Sequence, residues 1–269
     1  MYKISLIAPT RERPQLFQQF IQSIDNTTHY KEYIEVLIIC DEDDAFSQEY
    51  VNLAIKKYGQ LHIRLLTRPR SEALNNDYYN FMASQATGDL IWVLADDLVI
   101  VFPNWDEDVQ REAESIFFKY PDRILCFSML DNTPPPSHKM PKFPCFPMFT
   151  KEARIALGGW ILHPKILTWG ADYVTYCTFQ PIDRLVTMHQ HNYLNHICSH
   201  NHQVAEDHIN KRIGQIFNKN KMNPHHNTDR ILAEEIPNIR LDLKQKIKDF
   251  TAGLNAAQEQ SVATVPSNN

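Results

Sequence analysis

Glycine is scarce in this chain, seven in 269 residues. None of the seven forms G-x-G-x-x-G or a P-loop, so the commonest dinucleotide and nucleoside-triphosphate cradles are absent. Cysteine is limited to five, Cys40, Cys126, Cys145, Cys177 and Cys198. An odd number, widely spaced and without C-x-x-C, fits buried thiols of a reducing compartment better than disulfides or a zinc knuckle. No apolar run approaches membrane-spanning length, and the opening MYKISLIAP is interrupted too soon for a signal peptide. A cytoplasmic protein without a membrane anchor is the expectation. The formal charge of −5 argues against a chain built mainly to hold nucleic acid, although a local basic groove stays open.

What is present points to layered α/β structure. The hydrophobic fraction of 43% is ordinary for a globular chain. Residues 3–8, 33–40, 61–66 and 90–94 are short apolar runs that read as buried strands. Between them lie helical stretches. Pro14 suits a first helical turn, and Leu16, Phe17, Phe20, Ile21 and Ile24 share one face. Residues 46–58 follow, with Tyr50, Leu53, Ala54 and the stem of Lys57 expected inward. Residues 71–86 then end near Gly88, expected to be a left-handed C-cap. This β-α-β-α-β-α-β order predicts a mostly parallel sheet with right-handed crossovers. Residues 106–120 read as an amphipathic helix, 123–129 as a strand and 149–157 as a helix stopped by Gly158 and Gly159.

The fourth strand ends on adjacent carboxylates, Asp96 and Asp97. At the carboxyl edge of a central strand two acids repel each other and are costly to desolvate unless a cation joins them. The pair reads either as a divalent-metal site or as a turn after a strand. Residues 133–147 carry six prolines, a composition that suits a substrate lid or a stiff linker. Eight of the twelve histidines fall in residues 189–226. From residue 238 a charged amphipathic helix fades into a polar tail, 258–269, expected to be disordered.

Taken in order, the segments IAPTRERP (residues 7–14), Cys40-Asp41, ATGDLIWVLADD (86–97), Trp169-Gly170-Ala171-Asp172 and a later strand ending in histidine resemble the GT-A fold nucleotide-sugar glycosyltransferases. The likeness is to the inverting, family-two-like enzymes and covers residues 2–207. It implies a GT-A-like, Rossmann-like α/β sheet flanked by helices. Residues 1–132 would form the nucleotide-sugar half. Residues 133–236 would form the acceptor-binding and metal-completing half of the same domain, and 237–269 a C-terminal helix and tail.

Carried over residue by residue, the resemblance implies that Pro9, Thr10, Arg11 and Arg13 line the nucleotide site. A loop before a helix offers N–H groups there, and arginine offers a fork for phosphate. Asp41 would accept from the base, and Arg70 and Asn76 would face the nucleotide. Ala95 stands where many relatives carry the first acid of D-x-D. Asp97 is therefore the direct metal ligand expected, with Asp96 on ribose or sugar hydroxyls or on the metal through water. His200 and His202, on one side of an extended chain, would add a ligand to Mn²⁺ or Mg²⁺, Mn²⁺ being better suited to imidazole. Asp172 is the general base expected, and capping of the next helix is its alternative role.

The implied partners are a nucleoside-diphosphate sugar, a UDP-sugar first, and an acceptor saccharide or other macromolecule, a nucleic-acid base included. Two rivals remain at this level. A sugar-phosphate nucleotidyltransferase normally wants a glycine-rich loop that residues 9–14 lack, and a non-catalytic nucleotide- or carbohydrate-binding module needs no base.

Overall fold

The order of sheet and helix follows from which side of each strand is apolar. The computed structural model describes residues 1–131, 143–168, 170–188, 193–196 and 224–263. Four parallel strands, β1 (Ile4–Pro9), β2 (Ile34–Asp41), β3 (His62–Arg68) and β4 (Leu90–Val93), stand in the order β3-β2-β1-β4. Beyond β4 the sheet continues with β7 (Met148–Thr150), β6 (Cys126–Ser128) and β8 (Leu185–Thr187). Strand β7 runs antiparallel to both neighbours, and β8 parallel to β6. The expected mostly parallel sheet is the one found. A separate antiparallel ribbon pairs β5 (Leu98–Ile100) with β9 (Leu194–His196).

Side chains on successive strand positions face opposite ways, so each central strand feeds two cores. Ile4, Leu6, Ala8, Val36, Ile38, Leu90 and Trp92 meet one layer, α1 (Pro14–Thr27), α2 (Ala45–Lys57) and α4 (Trp105–Lys119). Ile7, Leu37, Ile39, Ile91 and Val93 meet the other. That second layer holds α3 (Phe81–Gln85), α5 (Lys151–Ala156), α6 (Ala171–Phe179), α7 (Pro224–Glu234) and α8 (Ile236–Ala263). Among the described residues no helix is long and apolar enough to cross a membrane.

Several local expectations give way to tertiary contacts. Helix α2 buries Ser47, Val51 and Ala54, while Leu53 is 57% exposed. Tyr50 packs against the same core as expected, its hydroxyl 2.9 Å from Thr10 Oγ1 and 2.8 Å from Ser47 Oγ. The helix expected over 71–86 is a π-helical segment, Leu74–Asn80, running into α3. Gly88 is not left-handed; positive φ among glycines falls at Gly158, Gly159 and Gly170. A Cβ on Gly88 would lie 2.6 Å from Ser5 Oγ and 2.7 Å from Ser5 N, so close approach of two backbones requires glycine there. Residues 149–157 begin as strand β7, because Leu90–Trp92 offer an antiparallel edge, and turn helical only from Lys151. Helix α8 continues past Gln258 to Ala263, where the sequence suggested a disordered tail.

Candidate active site

The carboxyl ends of β1, β2, β3 and β4 lie side by side, and the loop after β1 is laid across them. Thr10 N donates to Ile39 O at 3.0 Å, Leu94 N to Ile7 O at 2.9 Å and Glu42 N to Arg68 O at 2.8 Å. Pro9 is the last residue of β1 and is in register with Ile39. Glu12 has a positive φ of 54°, a strained setting for a non-glycine residue that functional loops tolerate when held from outside. Its backbone N donates to Ser47 Oγ at 2.8 Å and Asp44 Oδ2 at 3.3 Å. Asp44 also caps α2 by accepting from Ser47 N at 3.0 Å. The acidic run after β2 thus anchors the Thr-Arg loop.

This anchoring directs Arg11 and Arg13 to different acids. Arg11 Nη1 reaches Asp41 Oδ2 at 2.6 Å and Asp43 Oδ1 at 2.8 Å. Burial alone would lower the Arg11 pKa, but its bonds to Asp43 and Asp41 outweigh that and raise it. Arg13 Nη2 lies 2.5 Å from Asp96 Oδ1 and its Nη1 3.4 Å from Asp97 Oδ2. Thr10 Oγ1 donates to Asp96 Oδ2 at 2.7 Å and sits 2.9 Å from Tyr50 Oη. Asp96 is wholly buried. Desolvation pushes its carboxyl up to about 6, against the opposing pull of Arg13 and Thr10.

The structure therefore gathers Pro9, Thr10, Arg11, Arg13, Asp41, Asp96 and Asp97 at one sheet edge. Arg70 is exposed at the rim, where its charge helps hold the Asp43 pKa down after the Arg11 hydrogen bond. Asn76 is not brought into this group: it is exposed, and its Nδ2 donates to Asp77 Oδ1 at 2.9 Å. His200 and His202 lie outside the described residues, as does Trp169. Among the described residues no three His, Cys, Asp or Glu side chains are grouped to hold a metal. What the site offers a cation is the Asp97 carboxylate, in a side chain 9% exposed. A single carboxylate fits a hard divalent ion only if ligand oxygens and water complete the shell.

Asp172 stands in the first turn of α6, and Gly170, in the left-handed conformation at φ 89°, is the N-cap in its place. Burial raises the Asp172 carboxyl above its ordinary value, the Tyr173 N–H at 2.8 Å opposing. Cys145 shares these surroundings: its thiol is pushed up to about 12, by burial first and then by Asp131 and Asp172.

Sequence reading missed the residues that join these parts. Tyr78 donates to Asp41 Oδ1, and Tyr79 Oη donates to Leu94 O at 2.9 Å, both from the π-helical segment. Their only signal in the sequence is two adjacent tyrosines in a helical run.

The family model described as glycosyl transferase family 2 matches residues 5–165. The chain belongs to this family. Among curated proteins, the O-antigen biosynthesis protein RfbC of Myxococcus xanthus is 27% identical over 117 residues, 42% of this chain and 8% of that protein. The chain thus spans less than a tenth of that relative's length. Among solved structures, S. aureus TarS with UDP matches at a TM-score of 0.55 and 12% identity, over 72% of this chain and 60% of that one. The mannosyltransferase PcManGT of Pyrobaculum calidifontis, with GDP-Man and Mn²⁺, matches at 0.58 and 13%, over 98% and 81%. At these identities the two structures support the GT-A fold alone. Family membership removes the nucleotidyltransferase reading.

Proposed function

We propose that this family 2 chain transfers a sugar, with inversion, from a nucleoside-diphosphate sugar to an acceptor hydroxyl. The observation that carries the reading is the convergence of Arg11 and Arg13 with Asp41, Asp96 and Asp97 at the carboxyl edge of the sheet. Asp41 accepts from the base. Asp96, wholly buried, holds Thr10 and Arg13 in place beneath the donor. Arg11 and Arg13 supply fixed donors to a diphosphate. Asp97 is the residue that would hold Mn²⁺ or Mg²⁺, and a bound cation supplies positive charge to the departing diphosphate.

In the reaction the acceptor oxygen bonds to the anomeric carbon as the bond from that carbon to phosphate oxygen breaks. Asp172 takes the acceptor's proton, and the nucleoside diphosphate leaves with the electron pair. A carboxyl raised by burial suits that proton transfer. The related solved structures hold UDP-GlcNAc and GDP-Man, so both bases belong in the assay. The O-antigen name of the curated relative favours a saccharide acceptor.

The test is release of nucleoside diphosphate from UDP-GlcNAc and GDP-mannose with Mn²⁺ present or chelated. Asp97→Asn is expected to lose metal-dependent donor binding, and Asp172→Asn to keep binding while turnover falls. Turnover unchanged in both variants would refute the assignment.

A further inference from the structure

Two buried amides of the π-helical segment hold one stretch of loop on the far side of the site. Asn75 Nδ2 donates to Ile166 O and Thr168 O, both at 2.8 Å, and Asn75 N donates to Leu167 O at 3.1 Å. Asn80 Oδ1 accepts from Ile161 N and Leu162 N at 2.9 and 3.1 Å, and its Nδ2 donates to Leu162 O at 2.7 Å. Residues 161–168 are thereby pinned at both ends. Asn80 holds the end nearer α5, and Asn75 holds the end that leads to Gly170 and Asp172. On its other side the same seven-residue segment grips Asp41 through Tyr78 and the end of β4 through Tyr79.

A π-helical turn places residues on faces that an α-helix would not, and such turns recur at functional sites. Here Asn80, five positions after Asn75, is buried alongside Asn75, Tyr78 and Tyr79. One element thus contacts both Asp41 and the loop that leads to Asp172.

We propose that Asn75 is a positioning residue that sets Asp172 against the donor site. The inference rests on the reading of Asp172 as the base. Its logic is chemical: both amide N–H groups are spent on carbonyls two residues apart, a task a carboxylate cannot perform. Asn80 keeps the other end of the loop in place when Asn75 is lost.

The experiment uses the full chain with Asn75→Ala and the isosteric Asn75→Asp. Nucleoside-diphosphate release is measured from UDP-GlcNAc and GDP-mannose with Mn²⁺, water serving as acceptor. In parallel the Asp172 carboxyl is titrated by ¹³C NMR, its signal assigned with Asp172→Asn. Cys145, whose thiol is pushed up by burial first and then by Asp131 and Asp172, and the Tyr173 N–H that donates to Asp172 are unchanged in all variants. We expect kcat to fall by at least about tenfold with donor KM within about twofold, as a misplaced but present base requires. The Asp172 titration is expected to move down toward the ordinary carboxylate range as water enters. Unchanged kcat and titration in both variants would overturn the inference while leaving the transfer reading intact. Should the wild-type chain release nothing from either donor, the transfer reading fails for those donors. The titration then decides on its own, an unmoved Asp172 counting against Asn75 and a lowered one for it.

Discussion

Tyr78 and Asp41 meet through a phenol and a carboxylate oxygen, 37 residues apart in the chain. Ser71 N donates to the same phenol at 2.9 Å, which leaves the phenol proton free for Asp41 Oδ1, while Arg11 takes Oδ2. The Asp41 carboxylate is thereby locked in plane and orientation before any base arrives. Tyr78→Phe should cost about 1–2 kcal/mol in urea unfolding and weaken nucleoside diphosphate binding severalfold by calorimetry. Equal affinity in variant and wild type would mean that Asp41 needs no such support.

Asp96 gives a pH signature of opposite sign to most acids. Burial lifts its carboxyl to about 6, from an ordinary value near 3.9. The folded state then binds its proton more tightly than the unfolded chain does. Its contribution to stability is full below about pH 4 and is lost as pH rises through about 6. Asp96→Asn should gain on wild type by about 2–3 kcal/mol between those limits. Urea unfolding of both proteins from pH 4 to 7 checks this, and parallel curves would contradict it.

At the opposite end of the sheet, Glu35 is 2% exposed and accepts from Ser5 Oγ at 2.6 Å, Thr87 N at 2.9 Å and Arg64 Nη1 at 2.8 Å. Burial would raise its pKa, but Ser5, Thr87 and Arg64 together lower it. The stability it gives is therefore present above the ordinary carboxyl range and lost as pH falls through its lowered value. Glu35→Ala leaves the buried Ser5 hydroxyl without its acceptor and should cost about 1–3 kcal/mol without changing nucleotide affinity. Chemical denaturation beside calorimetry separates the two effects.

Much of this fold was legible because its signals are local. The alternation of apolar runs and helical stretches, Pro14 at the first turn of α1, and the acid pair closing β4 each depend on a few neighbouring residues. The parts that were not legible depend on distant ones. Gly88 reads as a helix stop, yet it is required by Ser5, 83 positions away, whose backbone leaves no room for a Cβ. Leu53 reads as core by spacing, but the buried face of the helix runs through Ser47, Val51 and Ala54 and leaves Leu53 outside. Of two adjacent asparagines, the sequence singled out Asn76. The structure turns Asn75 inward, where its amide meets Ile166 O and Thr168 O, and leaves Asn76 exposed.

Gly170 ties the C-terminal helices to the start of α6. It sits at φ 89°, and a Cβ there would lie 3.2 Å from Thr228 Oγ1 on α7. Gly170→Ala combines a left-handed penalty with this contact and should cost about 1–2 kcal/mol. It should also lower turnover if the strain at φ 89° is relieved at the start of the helix that carries Asp172, while the Thr228 side chain gives by a few tenths of an ångström. Gly159, at φ 98° with nothing within 4 Å of its Cβ position, is the matched control. Gly159→Ala should cost the conformational penalty alone and leave turnover unchanged.

The acid pair makes the last distinction. Asp96 accepts from Thr10 at 2.7 Å through Oδ2 and pairs with Arg13 at 2.5 Å through Oδ1, and Asp97 Oδ2 accepts from Arg13 at 3.4 Å. Asp96 ties the Thr-Arg loop to the end of β4 through Thr10 and Arg13, so replacing it would loosen that loop, whereas Asp97 is the acid placed to take the cation. Asp97→Asn should therefore weaken Mn²⁺ binding in the presence of nucleoside diphosphate by at least about tenfold, read by electron paramagnetic resonance of free Mn²⁺. Asp96→Asn should instead weaken nucleotide binding whether or not Mn²⁺ is added. Reversed behaviour of the two variants would move the metal contact to Asp96 and require Arg13 and Thr10 to release it.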